Sequence, residues 1–339
     1  MYIVRPSTIE DASGIESVIR DNHARISSLP RKREKLLERI EHSMTSFATK
    51  ACLQGEEFFL FVMEESETGE IVGCSAISVN NDPQRPFYNY RQDELIHASE
   101  TFDIHTTVPI LYLTHELTGK TVLSSFAIQD KLLNTPYFDL MSRARLMFLR
   151  QFTQCFSSEV IVELQGVTNE EDESPFWDSL GRQFFNMDYV MAGYHVATKS
   201  RTMLAEMMPP HPIYVTMLTS QAQAVMGKTD ERAKATHKLL EKEGFEASPY
   251  IDIFDGGPVL MAKTNETRTF QHSRFKQVKG GKVTTGPLHL VANKSFSDFR
   301  CLLAQITDGM GEVVRLDGSI LTALNVRQDD EILYLHLTK

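Results

Sequence analysis

The sequence predicts a mixed α/β body followed by a small β-rich C-terminal domain. Two apolar runs, Phe58 to Met63 and Ile71 to Val79, flank the turn Glu67-Thr68-Gly69-Glu70 and read as a β-hairpin. Apolar residues recur at helical spacing through Leu36, Leu37, Ile40 and Met44, and again through Leu140, Ala144, Met147 and Phe148. From about Arg274 onward the texture changes to short strand-like runs separated by turns, the pattern of a small β-barrel or sandwich. A length of 339 residues suggests about two domains, drawn at 1–270 and 271–339.

In chain order, Tyr2 to Pro6 is a strand, and Ser7 or Thr8 caps a helix starting near Ile9. A second helix covers 31–49, and the hairpin of 58–63 and 71–79 follows. Residues 80–109 are polar and aromatic without a clear period and are expected to form a long irregular insertion, of the kind that carries function. Strands are expected at 111–113, 122–128 and 159–164, with a helix over 137–156 between the last two and another over 175–185. Helical stretches at 221–227 and 232–243 lead through Gly244-Phe245 to a strand at Tyr250. The C-terminal part carries strands at 288–292, 301–306, 313–316 and 332–337 and a short helix at 320–324.

The bulk numbers exclude several classes. A formal charge of -10 argues against a general nucleic-acid surface, and the basic run at Arg31 is interrupted by Glu34. The four cysteines are far apart and make no CxxC pair, so no metal site is expected. Cys74 and Cys301 lie in apolar runs and read as buried thiols. The chain opens on a strand without a signal-peptide core, and no apolar run approaches the roughly 18 residues of a membrane span, so a cytoplasmic protein is expected.

The segment Tyr250-Ile251-Asp252-Ile253-Phe254-Asp255-Gly256-Gly257-Pro258 reads as a strand breaking into a turn, with a carboxylate at each end of the corner. Asp252 and Asp255 there suit a cationic ligand; without one, the same residues make a solvated turn. Pro86-Phe87-Tyr88-Asn89-Tyr90-Arg91 gathers aromatic rings and one guanidinium, and Arg91 is able to pair bidentately with a carboxylate or to stand as a surface charge.

The acidic corner, with Ser174-Pro175-Phe176-Trp177, Phe184-Phe185-Asn186-Met187-Asp188-Tyr189, Ala205-Glu206-Met207-Met208-Pro209 and His211-Pro212-Ile213-Tyr214, resembles the bacterial arginine N-succinyltransferase family. The resemblance covers about residues 2–339 and is most specific over 56–125 and 170–262. Cys74-Ser75-Ala76-Ile77, His97-Ala98-Ser99 and Leu117-Thr118-Gly119 look most like the alpha-type chain of two-subunit arginine/ornithine succinyltransferases. The order of elements also matches the acyl-CoA N-acyltransferase (GNAT) fold, an analogy of fold rather than of site.

The resemblance implies transfer of a succinyl group from succinyl-CoA, as co-substrate, to the α-amino group of arginine or ornithine in arginine catabolism. It implies no permanently bound cofactor, and a homo- or hetero-oligomer with a related chain. By position Phe126 falls where the family contacts succinyl-CoA, with Arg143 and Arg145 as candidates for CoA phosphate. Arg91 and Tyr88 are expected at the succinyl carboxylate, and Asp252 and Asp255 at the amino acid. Two departures point to an alternative, a non-catalytic or regulatory subunit that has lost CoA binding. The loop expected to cradle the pyrophosphate, 129–137, has no glycine. Where the family has Gly-Gln-Val-His-Pro, with its His as proton donor, this chain has Gly227-Lys228-Thr229-Asp230-Glu231. Asp230 is therefore the expected acid/base group, although a helix N-cap explains an Asp there equally well.

Overall fold

A run of strands laid edge to edge organises the chain. The computed structural model describes residues 1–21, 29–49, 55–80, 85–198, 201–283, 285–306, 311 and 313–337. Its strands are β1 (Tyr2–Pro6), β2 (Phe58–Glu65), β3 (Ile71–Val79), β4 (Asn89–Ser99), β5 (Ile104–Thr114), β6 (Thr121–Ile128), β7 (Glu159–Glu163), β8 (Ile213–Tyr214), β9 (Glu246–Ile251) and β10 (Pro258–Lys263). The C-terminal part adds β11 (Arg274–Gly280), β12 (Leu288–Ala292), β13 (Cys301–Gln305), β14 (Val313–Leu316) and β15 (Glu331–His336). The helices are α1 (Ala12–Asp21), α2 (Arg33–Ala48), α3 (Pro136–Gln151), α4 (Pro175–Ser179), α5 (Gly181–Phe185), α6 (Tyr189–Thr198), α7 (Arg201–Ala205), α8 (Ser220–Val225), α9 (Lys234–Glu243), α10 (Arg268–His272) and α11 (Gly318–Leu324).

The fifteen strands of the described residues share one sheet, in the order β14-β11-β15-β12-β13-β1-β2-β3-β6-β7-β10-β9-β4-β5-β8. The expected hairpin is present: β2 and β3 pair from Phe58↔Ser78 to Glu64↔Ile71. The C-terminal strands join the body through β13, which pairs antiparallel with β1 at Ile3↔Leu302 and Val4↔Cys301. Cys74 and Cys301 are buried, as their apolar surroundings predict, while Cys52 lies outside the described residues. Among the described residues no helix is long and apolar enough to cross a membrane.

Four expectations need correction. The part of 80–109 that is described is not irregular: β4 and β5 pair continuously from Asn89↔Thr114 to Ser99↔Ile104. Among the described residues only their base joins the sheet, at Tyr90 and Arg91 with β9 and at Ile110 and Leu111 with β8, so the rest stands out as a two-stranded arm. Polar residues on both faces hid its period, because a strand with no buried face has no alternation to read. The helix expected over 175–185 is two short helices, broken where Gly181 meets Trp177; a Cβ at Gly181 would lie 2.2 Å from the indole. The helix expected to reach 156 stops at Gln151. The strand β11, not anticipated, pairs parallel with β14.

The core is centred on α3. Eleven of its sixteen residues are buried, running without interruption from Leu140 to Leu149. Phe47 of α2, Phe59 and Phe61 of β2, Phe152, and Phe296 and Phe299 of the C-terminal part have ring centroids 4.8–5.7 Å from that of Phe148. Edge-to-face and tilted contacts of this kind add to the burial of each ring. One apolar cluster therefore spans α3, β2 and the C-terminal strands. Replacing Phe299 by alanine is expected to cost about 3–5 kcal/mol and to lower a single unfolding transition of the whole chain. Scanning calorimetry that showed only a separate C-terminal transition moving would instead mark 271–339 as independent.

Candidate functional site

The most unusual backbone in the sheet lies in β6. Its pairing with β3 shifts between Cys74↔Ala127 and Ala76↔Ser124, so Ser75 alone faces both Ser125 and Phe126. Ser125 has φ of 54°, a left-handed conformation that costs a non-glycine residue roughly 1 kcal/mol or more. A bulge of this type leaves backbone groups out of the ladder and turns the strand. Beside it, β6 and β7 run parallel but pair only at Thr121↔Val160 and Val122↔Ile161. Past those pairs the two strands separate, and the bulge lies on the separated part of β6. The Ser124 hydroxyl there is buried without a hydrogen-bond partner.

Phe126 sits on this bulge, half-buried, with its ring edge-on to Phe138 at 5.3 Å and the Arg145 guanidinium 5.3 Å from its centroid. Phe126 lies within β6, where pairing with β3 resumes at Ala127↔Cys74. Arg143 and Arg145 of α3 are not presented to solvent as phosphate ligands; both are 1% exposed. Arg143 is locked in ion pairs with Glu243 of α9 (2.6 Å) and Asp139 (3.1 Å). Glu243 also accepts from the Thr269 N–H and hydroxyl, at 2.9 and 2.8 Å. Arg145 points back to the bulge, donating to the Ser124 carbonyl at 3.3 Å and to the Ser142 carbonyl and hydroxyl at 3.2 Å each. Burial pulls its pKa down to about 9, which still leaves it charged at neutral pH. Helical spacing suggested an exposed face here. Arg143 meets Glu243 of α9 instead, and Arg145 is turned to the sheet.

The segment between β6 and α3 is closed on itself. Asp130–Leu132 is a 3-10 turn, and Gln129 and Lys131 reach across to Glu70. The N–H groups of Leu132, Leu133 and Thr135 donate to carbonyls within the loop. At the start of α3, Pro136 has no N–H, Tyr137 donates to the Thr135 hydroxyl at 3.3 Å and Phe138 to the Thr135 carbonyl at 3.1 Å. A helix N-terminus that binds an anion needs these donors free.

Asp230 is 5% exposed and serves as an N-cap, its Oδ1 accepting from the Arg232 N–H at 3.0 Å and from Arg232 Nε at 2.8 Å. Its Oδ2 accepts from the Thr168 N–H at 3.1 Å and Arg232 Nη2 at 3.2 Å. Burial alone would raise its pKa, but the Arg232 side chain and the two N–H donors hold it below the usual carboxylate range. These contacts favour the N-cap explanation over a proton-transfer role. The imidazole of this corner is His237 on α9, whose Nδ1 lies 2.7 Å from the Thr229 hydroxyl, with Glu241 3.7 Å from Nε2. Sequence spacing put His237 two helical turns from Asp230; the 3-10 turn Glu231–Ala233 brings it against Thr229.

The acidic corner is likewise turned inward. Asp252 Oδ1 accepts from the N–H groups of Phe254 (2.6 Å) and Asp255 (3.0 Å). Asp255 accepts from the Tyr189 hydroxyl and the Gly257 N–H, both at 2.9 Å, and from the Gly166 N–H. Both carboxylates are buried, at 8% and 6% exposure, so neither stands open at a corner as expected. Gly166 is required where it is: a Cβ would lie 2.4 Å from the Asp255 carbonyl oxygen. Burial, and then the neighbouring Asp252, push the Asp255 carboxyl up to about 7. The segments 164–168, 227–231 and 252–257 are tied together here, by Asp230 N–H to Gln165 O at 2.9 Å and Gly227 N–H to Gly256 O at 2.8 Å.

Arg91 and Tyr88 belong to a more open face. Arg91 lies 3.5 Å from Glu116 and 3.7 Å from Asp93, and Glu116 accepts from the Tyr250 hydroxyl at 2.5 Å. Tyr88 packs edge-on against His115 at 5.9 Å. Sequence reasoning assigned no role to Tyr189, Thr168, Arg232 or Glu243. Only Arg232 carried a local signal, two residues after the capping Asp230.

Comparison with known proteins adds a family. Residues 2–269 match the family described as "Arginine N-succinyltransferase beta subunit", and residues 274–336 its C-terminal domain. The chain is 40% identical over 327 residues to arginine N-succinyltransferase subunit alpha of Pseudomonas aeruginosa, covering 96% of this chain and 97% of that one. It is 34% identical over 339 residues to the arginine N-succinyltransferase of Salmonella schwarzengrund, covering 99% and 98%. The solved structure of arginine/ornithine succinyltransferase subunit AI from Pseudomonas aeruginosa superposes with a TM-score of 0.93 at 36% identity, over 100% and 99% of the two chains.

Two outcomes are expected of the buried carboxylates. Asp230→Ala removes a cap and a partly buried ion pair, and should lower stability by about 1–2 kcal/mol in denaturant titration. Asp255 titrates higher folded than unfolded, so its stabilising contribution is complete below its unfolded value and is lost as pH rises through about 7. Asp255→Asn should therefore flatten the fall in melting temperature between about pH 4 and 7; an unchanged pH profile would contradict the raised value.

Proposed function

This chain belongs to the arginine N-succinyltransferase family, and from that premise we propose that it transfers the succinyl group of succinyl-CoA to the α-amino group of arginine or ornithine. The reading has the chain act in arginine catabolism as one subunit of an assembly with a related chain. It takes residues 1–270 as a GNAT-like acyltransferase body and 271–339 as a β-rich accessory domain. The observation that carries it is the bulge at Ser125 beside the separated ends of β6 and β7. Separated parallel strands offer backbone donors and acceptors that a pantetheine arm can pair with as an added strand. Bulged N–H groups at that point suit the oxyanion of a tetrahedral intermediate.

In this reaction the amine lone pair attacks the thioester carbonyl, the C–S bond breaks, and the thiolate leaves as the amine gives up a proton. Asp230 is already committed to Arg232 and Thr168, so in this reading it positions the 227–231 segment. His237, joined to Thr229, takes the proton. Arg91, its pairing with Glu116 and Asp93 loose and exposed, remains the candidate for the succinyl carboxylate, with Tyr88 beside it. The buried Asp252 and Asp255 shape the amino-acid pocket from behind.

One observation favours a second reading, a subunit that keeps the fold but not the CoA site. The donors at the start of α3, which would hold a pyrophosphate, are spent within the loop and its cap. Release of CoA thiol by the purified chain with succinyl-CoA and arginine separates the two. Turnover supports the transferase. Its absence, together with no succinyl-CoA binding by calorimetry, supports the non-catalytic subunit. In the active case, His237→Gln should lower kcat by about 10²-fold or more with little change in melting temperature. Asp230→Asn should do the reverse, lowering melting temperature with a smaller effect on kcat. If His237→Gln leaves kcat intact, another group takes the proton.

A further inference from the structure

We propose that Arg145 is a positioning residue for acyl transfer: it locks the β6 bulge from behind and places an uncompensated positive charge beneath it. The inference rests on the reading of the bulge as the thioester site. Four observations carry it. Arg145 is 1% exposed, and among the described residues no carboxylate lies within ion-pair distance of it, whereas Arg143 two residues away has two. Its Nη1 donates to the carbonyl of Ser124, the residue just before the left-handed Ser125. The carbonyl of Ser125 accepts from the buried Cys74 thiol at 3.5 Å, so the consecutive carbonyls of Ser124 and Ser125 are both held by buried donors. Its guanidinium also lies against the ring of Phe126, the second bulged residue.

A lone buried guanidinium is a poor way to stabilise a fold. Its desolvation is not returned by a counter-ion, and even buried ion pairs can often be replaced by apolar residues with neutral or stabilising effect. The same charge is well suited to chemistry, because a fixed cation in a low-dielectric site stabilises negative charge that develops nearby without any rearrangement. The bulge's left-handed residue tells the same story, since strain held by surrounding contacts is typical of sites that need a preset backbone.

The test uses the full chain with Arg145→Met and Arg145→Lys, read by thermal unfolding and by CoA-thiol release. Arg145→Met is expected to melt at or above the wild-type temperature while kcat falls at least about tenfold, with KM for arginine within about twofold. Arg145→Lys, which keeps the charge but not the planar fork, should recover part of the lost kcat. A kcat for Arg145→Met within about twofold of wild type overturns the inference. So does a melting temperature far below wild type with unchanged kcat per folded molecule, which would mark the residue as structural. Absence of turnover in the wild type sinks the transferase reading instead. The melting comparison then decides for Arg145 alone: destabilisation by methionine overturns the inference, and stabilisation supports a charge retained at the fold's expense.

Discussion

The enclosure of α3 is the constraint on which the rest of this structure depends. A helix on the face of a sheet normally keeps one side wet, but α3 is sandwiched between the sheet and the layer formed by α9 and α10. Phe148 fixes it from below, through rings contributed by α2, β2 and the C-terminal part. With the helix unable to shift or rotate, every group attached to it is placed to within a side-chain rotamer. That placement sets Arg143 against Glu243, Arg145 against Ser124, and the Ser75 hydroxyl against the Met141 carbonyl.

Enclosure also explains why two arginines sit inside a protein that has no shortage of apolar residues. Arg143 is neutralised by two carboxylates, and one of them, Glu243, is itself tied to Thr269. This network couples α3 to α9 and α10, and so couples the bulge side of the sheet to the helix that carries His237. Among the described residues Arg145 has only neutral acceptors, and those belong to its own helix and to the strand that bends. The contrast between two arginines two residues apart shows one charge used for assembly and one left available to the site.

The second organising centre is the knot of 164–168, 227–231 and 252–257. Three loops that would each be mobile alone are joined by carboxylates accepting backbone N–H groups, an economical way to satisfy buried amides without secondary structure. Asp230 secures Thr168 and Arg232, Asp255 secures Gly166 and Tyr189, and Asp252 closes its own turn. The price is that these carboxylates are no longer free to meet a substrate directly.

By itself the sequence determined the β2–β3 hairpin, the helices around Leu36 and Leu140, the turn at Asp255 and the buried thiols, because each is set by local periodicity or turn chemistry. It also marked the acidic corner, Asp230 and Arg145 as residues worth attention. It did not show which way their side chains face. Arg143 and Arg145 look like surface residues until Glu243 of α9 is known to meet the first and the β6 bulge the second, and Asp252 and Asp255 look open until Gly166 and Tyr189 arrive from elsewhere in the chain. The arm of β4 and β5 was illegible because both its faces are polar, and the Ser125 bulge because no glycine announces it. Local sequence fixes backbone preference and polarity. Burial, hydrogen-bond partners and strain are properties of contacts between residues tens of positions apart, and only the tertiary structure decides them.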